Sequence, residues 1–244
     1  MNLYYKHIHG ELEAWHKDII KPKKLFKKVS DGLQSKMRKL IPQKVQNAIT
    51  KTMQTFTQTV MFGSRFVTDF GDTGDMTLAE SEYLILRKFQ SYKNTAVGEG
   101  ALTGAGGFLV GLADLPALLG IKIKFLFDCA ALYGYDVHDP GERLFILYVF
   151  QLAFSNREHR IDCFEKLTGW DSKPPAEMDW EKFQLEYRDY LDIAKLLQML
   201  PIIGAPVGAI TNNGLMERLR DNAMNAYRMR KLGKTWKSGK PSIY

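Results

Sequence analysis

GALTGAGGFLVGLADLPALL, residues Gly100–Leu119, and the shorter MLPIIGAPVGAITNNGL, Met199–Leu215, decide how this chain is read. Both are apolar and punctuated by glycine and proline. In the first, Gly100, Gly104, Gly107 and Gly111 recur at i, i+4, i+7 and i+11, which on a helix makes one stripe without side chains. Gly204, Gly208 and Thr211 repeat the spacing in the second, where Pro206 sets the helix start near itself. A glycine inside a helix costs roughly 1 kcal/mol relative to alanine. A bare face is therefore expected to lie against another backbone, an apolar ligand or a bilayer. Neither stretch supplies the ~18–20 uninterrupted apolar residues of a spanning helix. Asp114, Pro116, Lys122 and Lys124 break the first, and the second is shorter.

Outward from these two cassettes, nearly every segment carries the helical period and almost none alternates. The expected fold is all-α: a single compact multi-helix bundle with two glycine-rich, closely packed helical segments. Its 244 residues suffice to bury a core without disulfides or metals. Helices are expected over Leu3–Ile20, stopped by Pro22, then over 24–40 and over 43–62, where Val45, Ile49, Phe56 and Val60 share a face. After the loop Asp69–Thr77, Thr77 and Glu80 fit a capping box that opens a helix toward the first cassette. Asp114-Leu115-Pro116 reads as the start of a helix that ends at Gly134, and Asp139-Pro140 as the start of the next, to Phe154. Further helices are expected over 157–168, 179–200 and 206–232. The chain thus divides into basic amphipathic helices over 1–65, a helical core over 66–232 and a basic tail over 233–244.

The net charge of +7 is unevenly placed. Residues 1–65 hold 13 Lys/Arg and 4 Asp/Glu (+9), residues 66–200 hold 13 and 21 (−8), and residues 201–244 hold 8 and 2 (+6). Basic ends flank an acidic middle. Lys23, Lys24, Lys27 and Lys28 near one end, and Arg228, Arg230 and Lys231 near the other, suit an anionic surface, where each contributes on the order of 1 kcal/mol. Trp236 is an amphipathic aromatic suited to a headgroup layer, and Tyr227 with the two arginines could grip a phosphate. The alternative for the arginines is pairing with the acidic middle. Nucleic acid is not an expected partner, because no binding motif accompanies the charge. The N-terminus lacks a secretory layout, so the expected location is cytoplasmic. Cys129 and Cys163 read as buried thiols.

The glycine-rich stretch Gly98–Gly111, Ala113-Asp114-Leu115-Pro116, Ala131-Leu132-Tyr133-Gly134-Tyr135-Asp136, and Pro201-Ile202-Ile203-Gly204 running on through Gly208, Asn213, Ala223, Tyr227 and Arg230 together resemble the EcsC family. The resemblance implies an accessory role beside an ABC transporter, with an ATPase and a membrane subunit as partners. It implies no established chemistry.

The residues themselves leave three readings open. The first is a non-enzymatic protein that docks peripherally at the inner face of the membrane through its basic ends. In the second, Gly100, Gly104, Gly107, Gly111, Gly204 and Gly208 line a cavity that carries a lipid or hydrophobic peptide. In the third, a hydrolase uses Asp114 or the loop Asp69, Asp72 and Asp75 as acid, base or metal ligand. Asp114 otherwise reads as a helix cap, Asn213 as a hydrogen-bonding bridge between helices, and the aspartate loop as an acidic turn. No cofactor is expected: His7, His9, His138 and His159 form no ligand set, and no phosphate-loop or nucleophile-elbow motif is present.

Overall fold

The computed structural model describes residues 3–20, 43–63, 65–71, 73–103, 107–155, 157–172 and 204–233, so the helices expected over 24–40 and 179–200 lie outside them. The described residues form an all-α fold: α1 Leu3–Ile20, α2 Gln43–Phe62, α3 Leu78–Thr103, α4 Gly107–Leu132, α5 Pro140–Phe154, α6 Arg157–Thr168 and α7 Gly204–Leu232.

Local chemistry sets several of these boundaries. Before α3, the Thr77 N–H donates to Glu80 Oε2 (2.8 Å) and the Glu80 N–H to Thr77 Oγ1 (3.3 Å), the reciprocal capping box. Asp139 precedes α5 in extended backbone, and its Oδ1 accepts from the N–H groups of Gly141 (2.6 Å) and Glu142 (3.1 Å). α4 ends at Gly134, whose φ of +78° favours glycine. There the Gly134 N–H bonds Ala131 O (2.9 Å) and the Tyr135 N–H bonds Ala130 O (3.0 Å), satisfying two terminal carbonyls. α5 forms the middle of the core because RLFILYVFQLAF is apolar almost all round: every residue from Arg143 to Phe154 is buried.

Side-chain pairs fix the direction of each helix. Glu82 faces Tyr133, Lys88 faces Asp128, and Phe89 and Tyr92 face Phe125, so α3 and α4 form an antiparallel hairpin. Glu82, Phe89 and Lys93 of α3 face Arg228, Arg220 and Glu217 of α7, again antiparallel. Glu142 and Phe145 face Arg230 and Tyr227, and Phe56 and Met61 face Phe150 and Arg143, which orients α5 against both α7 and α2. α7 packs against α1, α3, α4, α5 and α6.

Two expectations change. The first cassette does not carry one continuous stripe, because the chain reverses between Thr103 and Gly107: Gly100 lies on α3, Gly107 and Gly111 on α4, and Gly104 outside the described residues. Glycine permits a reversal as readily as it permits close packing. Asp114 is also not an N-cap, since α4 begins at Gly107 and runs through both Asp114 and Pro116. A cap needs non-helical backbone, whereas proline inside a helix removes one hydrogen bond at a cost the packed hairpin can bear.

These directions give the bundle two poles. The glycine pole gathers the end of α3 and the starts of α2, α4 and α7. The arginine pole gathers the starts of α3 and α5, the ends of α2, α4, α6 and α7, and the turns between them.

Candidate functional site

Three ionic centres lie in the interior of the described residues. Arg228, on the inner face of α7, is 6% exposed. Its Nε and Nη2 donate to Glu82 Oε1 (2.6 Å) and Oε2 (2.8 Å), while Nη1 reaches Glu11 Oε2 (2.6 Å) and Asn225 Oδ1 (3.1 Å). Burial works against its charge, but the Glu82 bonds outweigh it and hold the guanidinium above its usual range. Tyr133 donates to the same Glu82 Oε1 at 3.2 Å, and burial, reinforced by that carboxylate, pushes its phenol up. This centre ties α1, α3, α4 and α7 together.

Two residues on, Arg230 makes a second centre. Its guanidinium bonds Glu142 through Nη1 (2.6 Å) and Nη2 (2.7 Å), and Asp171 through Nη2 (2.6 Å) and Nε (3.1 Å). It lies 3.8 Å from the centre of the Tyr135 ring and 4.4 Å from that of Phe145. Tyr227, fully buried and immediately preceding Arg228 in sequence, stacks on Tyr133 with ring centres 5.2 Å apart. Its hydroxyl has no hydrogen-bond partner among the described residues. Burial first, then the Glu142 charge, pushes that phenol up.

The third centre is Asp128 on α4, 1% exposed by side chain. Oδ1 accepts from Thr68 (2.8 Å) and Lys124 (2.8 Å), and Oδ2 from Tyr92 (2.7 Å), with Lys88 at 3.2 Å. Burial alone would raise the carboxyl; the donors from Lys124, Tyr92 and Thr68 outweigh it and hold it below its usual value. All four of its lone-pair directions are filled.

Arg228 and Arg230 pair with Glu82, Glu142 and Asp171 of the acidic middle and with Glu11 of the N-terminal segment, and Tyr227 is buried with them. Lys231 is exposed beside the Tyr135 ring at 5.2 Å, its ammonium pulled below the usual range by burial and by Arg230. Lys23, Lys24, Lys27, Lys28 and Trp236 lie outside the described residues, as does Asp72. Asp69 and Asp75 are exposed, and Asp69 Oδ1 accepts from the Gly71 N–H at 2.8 Å, a turn-forming role. Among the described residues no group of three His, Cys, Asp or Glu is placed to hold a metal. Gly204, Gly208 and Asn213 belong to α7, as Gly107, Gly111 and Asp114 belong to α4.

Glu82, Asp128 and Glu142 were not foreseen. Two carried a signal: Glu82 shares the face of Ile85 and Phe89 at i+3 and i+7, and Asp128 interrupts the run Phe125-Leu126-Phe127 before Cys129. A carboxylate on an apolar face is buried only with partners.

One part of the sequence resemblance meets in these centres: Tyr133, Gly134 and Tyr135 close α4 against Tyr227 and Arg230 of α7. The family model of the EcsC protein family matches residues 6–232. The chain belongs to the EcsC family. It is 38% identical to Protein EcsC of Bacillus subtilis over 225 residues, covering 92% of this chain and 95% of that protein. It is 27% identical to the uncharacterized protein YdbA of the same organism, covering 91% and 90% of the two chains. No solved structure matches. Among the described residues, no helix is long and apolar enough to cross a membrane.

Proposed function

We propose that this EcsC-family chain is a non-enzymatic accessory protein that works beside an ABC transporter, docked at the inner face of the membrane. Family membership over nearly the whole chain supports an accessory role in an Ecs-type system. The single observation that carries the non-enzymatic part is that the three interior ionic centres close on themselves. Arg228 is held by Glu82 and Glu11, Arg230 by Glu142 and Asp171, and Asp128 by four donors. Groups used in this way join helices; a general acid, base or nucleophile needs a free valence aimed at a substrate.

Docking rests on the basic segments, since attraction of lysines to an anionic leaflet survives without a spanning helix. Co-sedimentation with phosphatidylcholine vesicles containing one quarter phosphatidylglycerol tests it. Binding is expected at low ionic strength, with a steep loss between 50 and 300 mM salt, on the scale at which screening acts. Equal recovery in the supernatant with and without vesicles at low salt overturns the docking part. Co-purification of the tagged chain with the transporter ATPase or membrane subunit tests the partner.

A further inference from the structure

We infer that α1 is a clasp: it opens from α6 and α7 as one unit while the other described helices stay packed, and the ion pairs that hold it make the opening responsive to ionic strength. The inference goes beyond the docking reading and does not depend on it.

The sequence of α1 sets two adjoining stripes. Ile8, Leu12, Trp15 and Ile19, at i, i+4, i+7 and i+11, are its buried residues. Glu11, Trp15 and Asp18, at i, i+4 and i+7, carry its polar contacts. Glu11 Oε2 accepts from Arg228 Nη1 (2.6 Å), the Trp15 indole N–H donates to Asn222 Oδ1 (3.1 Å), and Asp18 Oδ2 accepts from Arg160 Nη2 (3.4 Å). Trp15 and His16 both lie against the Phe164 ring, at centre distances of 5.4 and 5.1 Å. Tyr4 adds a contact toward Glu82 of α3, its phenol pushed up by burial first and then by that carboxylate. Among the described helices, α1 thus rests chiefly on α7 and α6.

The α7 face beneath α1 is polar, and it keeps partners when α1 leaves. Asn222, Asn225 and Arg228 recur there at i, i+3 and i+6, each buried. Without Glu11, Arg228 still holds both oxygens of Glu82 and Asn225 Oδ1. Without Trp15, Asn222 Nδ2 still donates to Arg218 O (2.7 Å), and its Oδ1 turns to water. Opening therefore leaves Arg228 paired, so it avoids the uncompensated charge that makes broken interior pairs costly. What it exposes is one apolar stripe of α1 and the Phe164 ring, a local rather than a global loss.

Carboxylate exposure supplies the control. Glu82, Asp128 and Glu142, which join α3, α4, α5 and α7, have side chains 6%, 1% and 15% exposed. Glu11 and Asp18, which tie α1, are 44% and 61% exposed. Salt screens exposed pairs and acts much less on buried ones. Rising ionic strength therefore loosens α1 selectively.

Hydrogen exchange of the full chain, followed peptide by peptide and corrected for intrinsic rates, tests the clasp. At about 50 mM salt, amides over 8–19 are expected to exchange at least about a hundredfold faster than those of α5 over 143–154. Raising salt to about 500 mM should speed α1 about threefold, with a smaller change in α5. Glu11→Gln combined with Asp18→Asn should speed α1 about fivefold at low salt and remove most of its salt response. Trp15→Phe keeps a ring against Phe164 but loses the bond to Asn222, so α1 should speed about fivefold with its salt response intact. Exchange of α1 at the α5 rate in the parent chain would show that α1 opens only with the whole bundle, which overturns the inference. So would an α1 indifferent to salt, or equal acceleration of α1 and α5 in the Glu11→Gln, Asp18→Asn variant.

Discussion

At the arginine pole, helices are held by large side chains and charge. Arg228, Arg230, Tyr133, Tyr135 and Tyr227 fill the space between α4, α5 and α7, and the guanidinium groups of Arg228 and Arg230 each face two carboxylates. At the glycine pole the same helices continue into the cassettes, where glycine recurs between apolar residues. The contrast is between an end fixed by specific partners and geometry and an end whose sequence, over 100–113 and 201–214, carries no Asp, Glu, Lys or Arg. A scaffold with one locked end and one bare end suits a protein that keeps its shape while presenting a surface.

The largest expected effect attacks the locked end. Glu82→Gln keeps the shape but leaves the buried Arg228 with only Glu11, a partly exposed partner. Breaking a buried pair in this way costs about 3–5 kcal/mol, and urea unfolding followed by circular dichroism measures it. Replacing both partners, as Glu82→Leu with Arg228→Met, should recover most of the loss, because the uncompensated charge is then gone. Equal destabilisation by the single and double variants would mean that packing, not charge, sets the stability of this pole.

Asp128 comes next. Its carboxyl is held below the usual carboxylate value in the folded chain, so its contribution is complete above the usual value and is lost as pH falls through the lowered one. Asp128→Asn should cost about 2–3 kcal/mol at neutral pH. It should also flatten the fall in stability on acidification below about pH 4. Denaturant midpoints from pH 7 to pH 2 for both proteins check the sign. A parent and variant that run parallel over this range would show that Asp128 does not carry the acid dependence.

Much of the fold could be read from local chemistry. The all-round apolar run of α5, the Thr77 and Glu80 box, Asp139 before Pro140 and Gly134 after α4 each act within a few residues, where sequence is a sufficient guide. The reversal between α3 and α4 could not be read in the same way. Glycine spacing of four and three fits a helix face and a helix break equally, and only long-range pairs such as Lys88 with Asp128 and Glu82 with Tyr133 decide between them. Pro116 misled for a related reason: proline favours a first turn, but it can also sit inside a helix whose neighbours compensate for one lost bond. The ionic centres were half legible. Pairing of Arg228 and Arg230 with the acidic middle was one of two readings the charge distribution left open, and Glu82 lies 146 residues from Arg228 and Glu142 lies 88 from Arg230. No local pattern selects those partners.

Glycines whose surroundings are described give a smaller and sharper comparison. A methyl group added at Gly10 of α1 or Gly214 of α7 would meet nothing within 4 Å. Gly10→Ala and Gly214→Ala should therefore each stabilise by roughly 0.5–1 kcal/mol through helix propensity alone. Gly134→Ala should destabilise by about 1–2 kcal/mol, because its positive φ is strained for any residue with a Cβ. Thermal unfolding of Gly107→Ala, Gly111→Ala and Gly208→Ala then classifies the cassettes. Stabilisation like that of Gly214→Ala means open backbone, and loss means a close neighbour.

The smallest effect concerns Tyr227. Its ring is held by Tyr133, Tyr135 and Phe145 at centre distances of 5.1 to 5.3 Å, contacts that phenylalanine would keep. Its hydroxyl is buried without a partner among the described residues, and an unsatisfied group of this kind costs about 1–3 kcal/mol unless water reaches it. Tyr227→Phe should consequently be neutral or stabilising by up to about 1 kcal/mol, against the large loss from Glu82→Gln at the same pole. A clear loss of stability in Tyr227→Phe would mean that the hydroxyl holds an ordered water between α7 and its neighbours. The aromatic stack would then be a hydrated junction, and the arginine pole less completely closed than its ion pairs make it.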